Sequence, residues 1–202
     1  DFKSVISNEV SVNTNIRHSG LASLEIDPGF SASVTKVVQT ECLAENSIIP
    51  SDGNTSEVHA EECYCVVPFK PSLGKYLIGA WVKVGNDNSN IDYSDGYIKV
   101  IVTGGLTTNI YPSGPIIDGW QRLEGEIELS SGASGITVQL MNDSGTESVY
   151  FDDLRIHPLL AGMTTTVYDP KTLLPMATHD GYNFTTFYNY DENLNQVRVR
   201  VE

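Results

Sequence analysis

Two adjacent carboxylates, Asp152 and Asp153, stand in "SVYFDDLRI" (148–156), whose aromatic and branched neighbours otherwise favour a strand. Aspartate is depleted from pleated, half-buried surfaces, so the pair must bind something, be satisfied by hydrogen bonds, or face water. Three chemistries compete. One carboxylate could bind something offered by the loops around it. One could cap loop amides while its neighbour stays solvated. Or the two could serve as general acid and base. The last fails on geometry. Glycosidase carboxylates straddle a bond roughly 5–9 Å apart, whereas consecutive side chains on a strand point to opposite faces. With Phe151 turned inward, Asp152 and Asp153 are not expected to share one environment. No catalytic residue is expected.

Other reactive residue types give weaker signals. His18, His59, His157 and His179 are scattered without helical spacing, and each reads as a surface or turn histidine. The loop "DNSNIDYSDG" (87–96) looks calcium-like. Yet Asp95 stands where an EF-hand loop starting at Asn90 needs glycine, and Ile101 where it needs a bidentate glutamate. That loop reads as a solvated turn. No nucleophile elbow, phosphate loop or dinucleotide fingerprint occurs. Cys42 could bridge to Cys63 or Cys65, closing a loop worth about 3 kcal/mol, or all three could be buried thiols. A C-x-C pair with one distant cysteine is poor evidence for zinc.

The elements that must position these groups are strands. Short alternating runs recur between turn residues: "SLEI" (23–26), "SVTKVVQ" (33–39), "EVHAEECYCVV" (57–67), "YLIGAWVKV" (76–84), "YIKVIVTG" (97–104), "WQRLEGEIEL" (120–129), "GITVQLMN" (135–142) and "SVYFDDLRIHP" (148–158). Such a series predicts an all-β sandwich. After Pro158 the texture changes to short aromatic- and valine-rich runs separated by "YDPKT", "HDGYN" and "YDENLN". They predict a meander of four short strands, too small to stand alone. It must pack on the sandwich or on further repeats. The expected boundary lies at 159–163, giving domains 1–158 and 159–202.

Bulk properties narrow the partners. With 26 acidic against 12 basic residues the formal charge is −14. Such a surface repels phosphate backbones and anionic lipid, so nucleic acid and membranes are set aside. No apolar run approaches the ~20 residues that span a bilayer. Asp1 is not expected to be a native start, and the chain is expected to be part of a longer protein.

Four phrases in order, "HSGLASLEI" (18–26), "YLIGAWVKV" (76–84), "DGWQRLEGEIEL" (118–129) and "VYFDDLRIHP" (149–158), resemble non-catalytic carbohydrate-binding modules with a galactose-binding-like jelly roll. The resemblance covers about residues 1–158. It implies a structural calcium ion at Asp152, with carbonyls of the loop carrying His18 and Ser19 and an early acid such as Asp1 completing the site. The tail, with Tyr-Asp at 168–169 and 190–191, resembles a YD-repeat (RHS-type) segment. Together these imply an accessory domain of a large extracellular or surface bacterial protein, contacting the rest of its parent and recognising a glycan. Alternatives are a purely structural or adhesin spacer and, remotely, a polysaccharide lyase or hydrolase. Sugars present flat apolar faces and hydroxyl rims, so a site needs exposed aromatics beside polar groups. Tyr93, Tyr97 and Tyr111 near loops, with Trp81 in its strand, are the expected platform, their apolar bodies and polar edges suiting a half-wet place. For Trp81, core packing is the competing expectation. Trp120 is expected to brace an edge.

Overall fold

A computed structural model describes residues 9–38, 71–85 and 93–202. Asp1, His59, the three cysteines and the run 57–67 lie outside the described residues. The described residues form fourteen strands, in order: β1 (Val10–Asn13), β2 (Ser23–Ile26), β3 (Ser31–Val37), β4 (Gly74–Val84), β5 (Gly96–Thr103), β6 (Thr107–Ile110), β7 (Pro112–Ile117), β8 (Trp120–Leu129), β9 (Gly135–Asn142), β10 (Val149–Pro158), β11 (Thr165–Tyr168), β12 (Pro175–His179), β13 (Thr185–Tyr190) and β14 (Gln196–Val201). Among the described residues no helix is long and apolar enough to cross a membrane.

The first ten strands form the expected jelly-roll sandwich. One sheet runs β1-β2-β10-β4-β8-β7 and the other β3-β9-β5-β6. Period-two patterning explains how they face each other. In β8, Leu123, Ile127 and Leu129 are buried while Glu126 and Glu128 are exposed. In β5, Ile98, Val100 and Val102 go inward, as do Val138 and Leu140 of β9. They meet Ile78, Ala80, Val82 and Val84 of β4 in one apolar core. Removing that surface from water is the main force closing the sandwich.

Strand β4 is buried on both faces, and the tail explains why. Strands β11 to β14 make a separate antiparallel sheet, the expected meander. Its β12–β13 turn, "HDGYN", lies on the outer face of the larger sheet, over Gly79. A side chain at Gly79 would begin 3.9 Å from Asn183 Nδ2 and 3.2 Å from the Leu123 carbonyl oxygen. Arg155 donates to the carbonyls of Asp180 (2.8 Å) and Gly181 (2.9 Å). Arg122 donates to that of Tyr182 (2.7 Å), and the Trp81 indole to that of Asn183 (2.9 Å). Four consecutive carbonyls of the turn are thereby satisfied by the sandwich. An ion pair between Arg200 of β14 and Asp118 of the β7–β8 turn adds a second clasp.

Three equivalent turns organise the tail. Asp169, Asp180 and Asp191, eleven residues apart, each accept two amides through one side-chain oxygen: Lys171 and Thr172, Tyr182 and Phe184, Asn193 and Asn195. These are Asx turns, in which a short carboxylate supplies the acceptor a tight reversal lacks. Each turn carries a residue at positive φ: Leu173, Asn183 and Leu194.

Candidate functional site

The Asp152–Asp153 pair sits at a β-bulge. Pairing of β10 with β4 slips between Asp152 and Arg155, and Asp153 takes φ 52°. Aspartate tolerates this left-handed conformation better than most residues. Its amide is satisfied within the bulge by Asp152 Oδ1 at 2.8 Å. A bulge breaks the alternation of side chains. The expectation that the two acids lie on opposite faces is therefore corrected: both reach the 18–19 loop.

Their tasks differ. Asp152 Oδ2 accepts the amides of His18 (2.9 Å) and Ser19 (3.2 Å), 134 and 133 residues away in sequence. It ties the β1–β2 connection onto β10. Asp153 Oδ2 pairs with His18 Nδ1 at 2.6 Å, and its Oδ1 accepts the Ser19 hydroxyl. His18 Nε2 reaches Glu202 Oε1 at 2.8 Å, and Glu202 Oε2 accepts the Thr185 amide at 3.0 Å. From β12, His179 Nε2 lies 3.1 Å from Asp153 Oδ2 but makes no hydrogen bond. Its Nδ1 faces Thr165 Oγ1 at 2.9 Å. The His18 ring stacks on Trp81, centroids 4.4 Å apart, and meets Phe187 edge-on. Two imidazoles and three carboxylates thus occupy the seam between sandwich and tail.

Burial makes charge placement decisive here. Burial by itself lowers the His18 pKa, but the hydrogen bonds and charges of Asp153 and Glu202 overturn that and lift it to about 9. Burial, then the charge of Asp153, pushes Asp152 up to about 7 against its three amide donors. Burial also works to raise Asp153, yet His179 and His18 hold its carboxyl well below the usual range. The seam thus favours an ionised Asp153 facing a protonated His18.

Calcium does not fit these donors. At His18 and Ser19 the backbone presents N–H groups to Asp152, not the carbonyls a hard cation needs, and the neighbouring donors are imidazole nitrogens. The histidines also depart from expectation. His18, His157 and His179 are all buried; His18 and His179 meet groups from other strands, whereas His157 Nδ1 lies 3.0 Å from the carbonyl oxygen of its neighbour Pro158.

The aromatic candidates divide. Trp81 is fully buried and Tyr93 is 3% exposed, so neither offers a ring face to a ligand. Tyr93 donates its hydroxyl to the Gly119 carbonyl at 2.8 Å, and its amide donates to Gln121 Oε1. Trp120 is buried in the cluster of Trp81 and Tyr150. Tyr97 and Tyr111 are brought together, ring centroids 4.9 Å apart, with Tyr111 half exposed. Burial and a hydrogen bond to Asp143 raise the Tyr97 pKa.

The Tyr97–Tyr111 pair stands at one end of the outer face of the β3-β9-β5-β6 sheet. Register places Met141 beside Tyr97, then a second row of Asn109, Lys99, Gln139 and Ser33 straight across the four strands. A third row holds Thr137 and Thr35, hydroxyls 2.8 Å apart. Sequence reasoning found the tyrosines and missed this polar row. Its signal was the odd positions of β5 and β9, which alternate with the core residues.

No protein-family model matches this chain, and no curated protein matches it in sequence. Solved structures similar to it include a family 16 carbohydrate-binding module, at 14% identity over 74% of this chain and 85% of that one (TM-score 0.41). A second is the CBM22-1 xylan-binding domain of Xyn10C from Paenibacillus barcinonensis, at 15% identity over 78% and 85% (TM-score 0.43). A third is TmCBM61 in complex with β-1,4-galactotriose, at 17% identity over 78% and 90% (TM-score 0.41). Overlap of that extent leaves the architecture to be read from the chain's own sheets and core.

Proposed function

We propose that this chain is a non-catalytic glycan-binding module, and that the outer face of the β3-β9-β5-β6 sheet is its binding surface. The observation that carries this reading is the Tyr111 ring, half exposed and propped on Tyr97 beside the row Asn109, Lys99, Gln139 and Ser33. A sugar ring stacks its apolar face on an aromatic platform while its hydroxyls need donors and acceptors at the rim. Rigid tyrosines lose little side-chain freedom on binding. The polar row extends across four strands, a reach suited to several consecutive residues of a polymer. A polymer of this kind places the module outside the cell, on a larger bacterial surface or secreted protein. The tail, with its three aspartate turns, then acts as a YD-repeat-like connector to that parent.

Affinity electrophoresis against neutral polysaccharides, xylan and β-1,4-galactan among them, tests the reading. Retardation is expected for at least one polymer, and Tyr111→Ala is expected to abolish it without lowering the melting temperature. Absence of retardation by every polymer, or full retention in Tyr111→Ala, overturns the proposal and favours a purely structural spacer.

A further inference from the structure

We propose that His18 Nδ1, His179 Nε2 and Asp153 form a binding site for a divalent transition metal of the zinc class, at the seam between the sandwich and the tail. The three donor atoms lie within 4.8 Å of one another. Each histidine has its other ring nitrogen already engaged. His18 Nε2 faces the Glu202 carboxylate at 2.8 Å, and His179 Nδ1 faces the Thr165 hydroxyl at 2.9 Å. Outer partners of this kind orient each ring and leave its remaining nitrogen facing the place an ion would take once any proton there is lost. His179 Nε2 is the informative atom. It is buried, makes no hydrogen bond, and is aimed at Asp153 Oδ2.

The donor set selects the metal. Two imidazole nitrogens and one carboxylate oxygen suit zinc, cobalt or nickel and are wrong for calcium or magnesium, which take oxygen. Three protein ligands leave a fourth position to water, as in many zinc sites. Binding replaces the proton on His18 Nδ1, which leaves to solvent, by a metal–nitrogen bond. The Asp153 side chain, 10% exposed, leaves a narrow approach. The ion joins β10 and the 17–20 loop of the sandwich to β12 of the tail, so its occupancy decides how firmly the two sheets are joined.

Zn2+ and Co2+ are titrated into the intact chain, with Ca2+ in parallel. Zn2+ is expected to raise the melting temperature and to saturate at one equivalent, and Co2+ to develop visible ligand-field bands, while Ca2+ does neither. In 15N spectra of the wild-type chain, His18 Nδ1 and His179 Nε2 are expected to shift together on Zn2+ addition and His157 to stay put. His179→Gln and His18→Gln are expected to lose the site. The wild-type 15N experiment decides the matter even where a variant fails to fold. No saturable binding, shifts confined to other residues, or undiminished affinity in a folded His179→Gln chain overturns the proposal.

Discussion

The indole N–H of Trp81 donates to the main-chain carbonyl of Asn183, at 2.9 Å across 102 residues of sequence. A core tryptophan of the sandwich is thereby satisfied by the tail, and the two share a hydrogen-bonded seam. Arg155 carries the same contact further, since its buried guanidinium satisfies two turn carbonyls. Arg155→Ala is expected to cost about 2–4 kcal/mol, because charged hydrogen bonds and two buried acceptors are lost together. Arg122→Ala, at an exposed carbonyl contact, is expected to cost less than about 1 kcal/mol. Urea unfolding followed by tryptophan emission measures both. Equal costs would show that the turn is not seated by Arg155.

Asp152 gives a second prediction. Its carboxylate receives three main-chain amides, those of His18, Ser19 and Asp153. Asp152→Ala strands these donors in a buried place and is expected to cost about 2–4 kcal/mol. Asp152→Asn keeps one acceptor oxygen and is expected to cost about half as much. Added calcium is expected to leave the wild-type melting temperature unmoved, since a bound ion stabilises by mass action and these donors do not suit it. A calcium-dependent rise abolished by Asp152→Asn would reverse this assignment.

Tyr150 carries a pH prediction. Burial, then its hydrogen bond to Glu25 Oε1 at 3.0 Å, raises the phenol to about 12. A raised acid keeps its proton longer in the folded chain than in the unfolded one. The contribution is therefore complete below the unfolded value of 10.0 and is lost as pH climbs through about 12. Glu25→Gln removes the charge and leaves the burial, so the titration is expected to move down toward 10.0 without reaching it. Labelled tyrosine 13Cζ shifts report this directly. An unchanged midpoint would assign the whole shift to burial.

Most central strands were legible in the sequence because their inward residues alternate cleanly. β2, β8 and β9 match the expected runs 23–26, 120–129 and 135–142. The unread strands β1, β6 and β7 are all edges. An edge strand lacks one neighbour and tolerates polar residues, glycine and proline, as "PSGPII" shows in β7. The tail's period was only half legible. Tyr168-Asp169 and Tyr190-Asp191 announce two turns, while the middle one carries histidine, as His179-Asp180. That exception is the residue that turns inward to Asp153. The acid pair itself was visible, but not the bulge that swings both acids to one loop, because a register slip depends on what β4 offers opposite. His18 and Glu202 lie 184 residues apart, and no local pattern announces such a partner.

Gly104 links the fold to the proposed binding face. It turns β5 into β6, the hairpin that carries Tyr97, Lys99 and Asn109, and it takes φ +83°. A side chain there would begin 2.0 Å from the Gly132 carbonyl oxygen in the β8–β9 turn. The two turns are also stitched by the Ser134 amide donating to the Thr103 carbonyl at 2.9 Å. Gly29 also has positive φ, +78°, but open space around it. Gly29→Ala is expected to cost only the left-handed strain, about 1–2 kcal/mol. Gly104→Ala adds a clash with backbone that cannot swing aside, and is expected to cost at least about 1 kcal/mol more and to weaken polysaccharide retardation. Urea unfolding and affinity electrophoresis of the two variants decide this. Equal stabilities would mean the two turns part freely, and the face would then owe nothing to their contact.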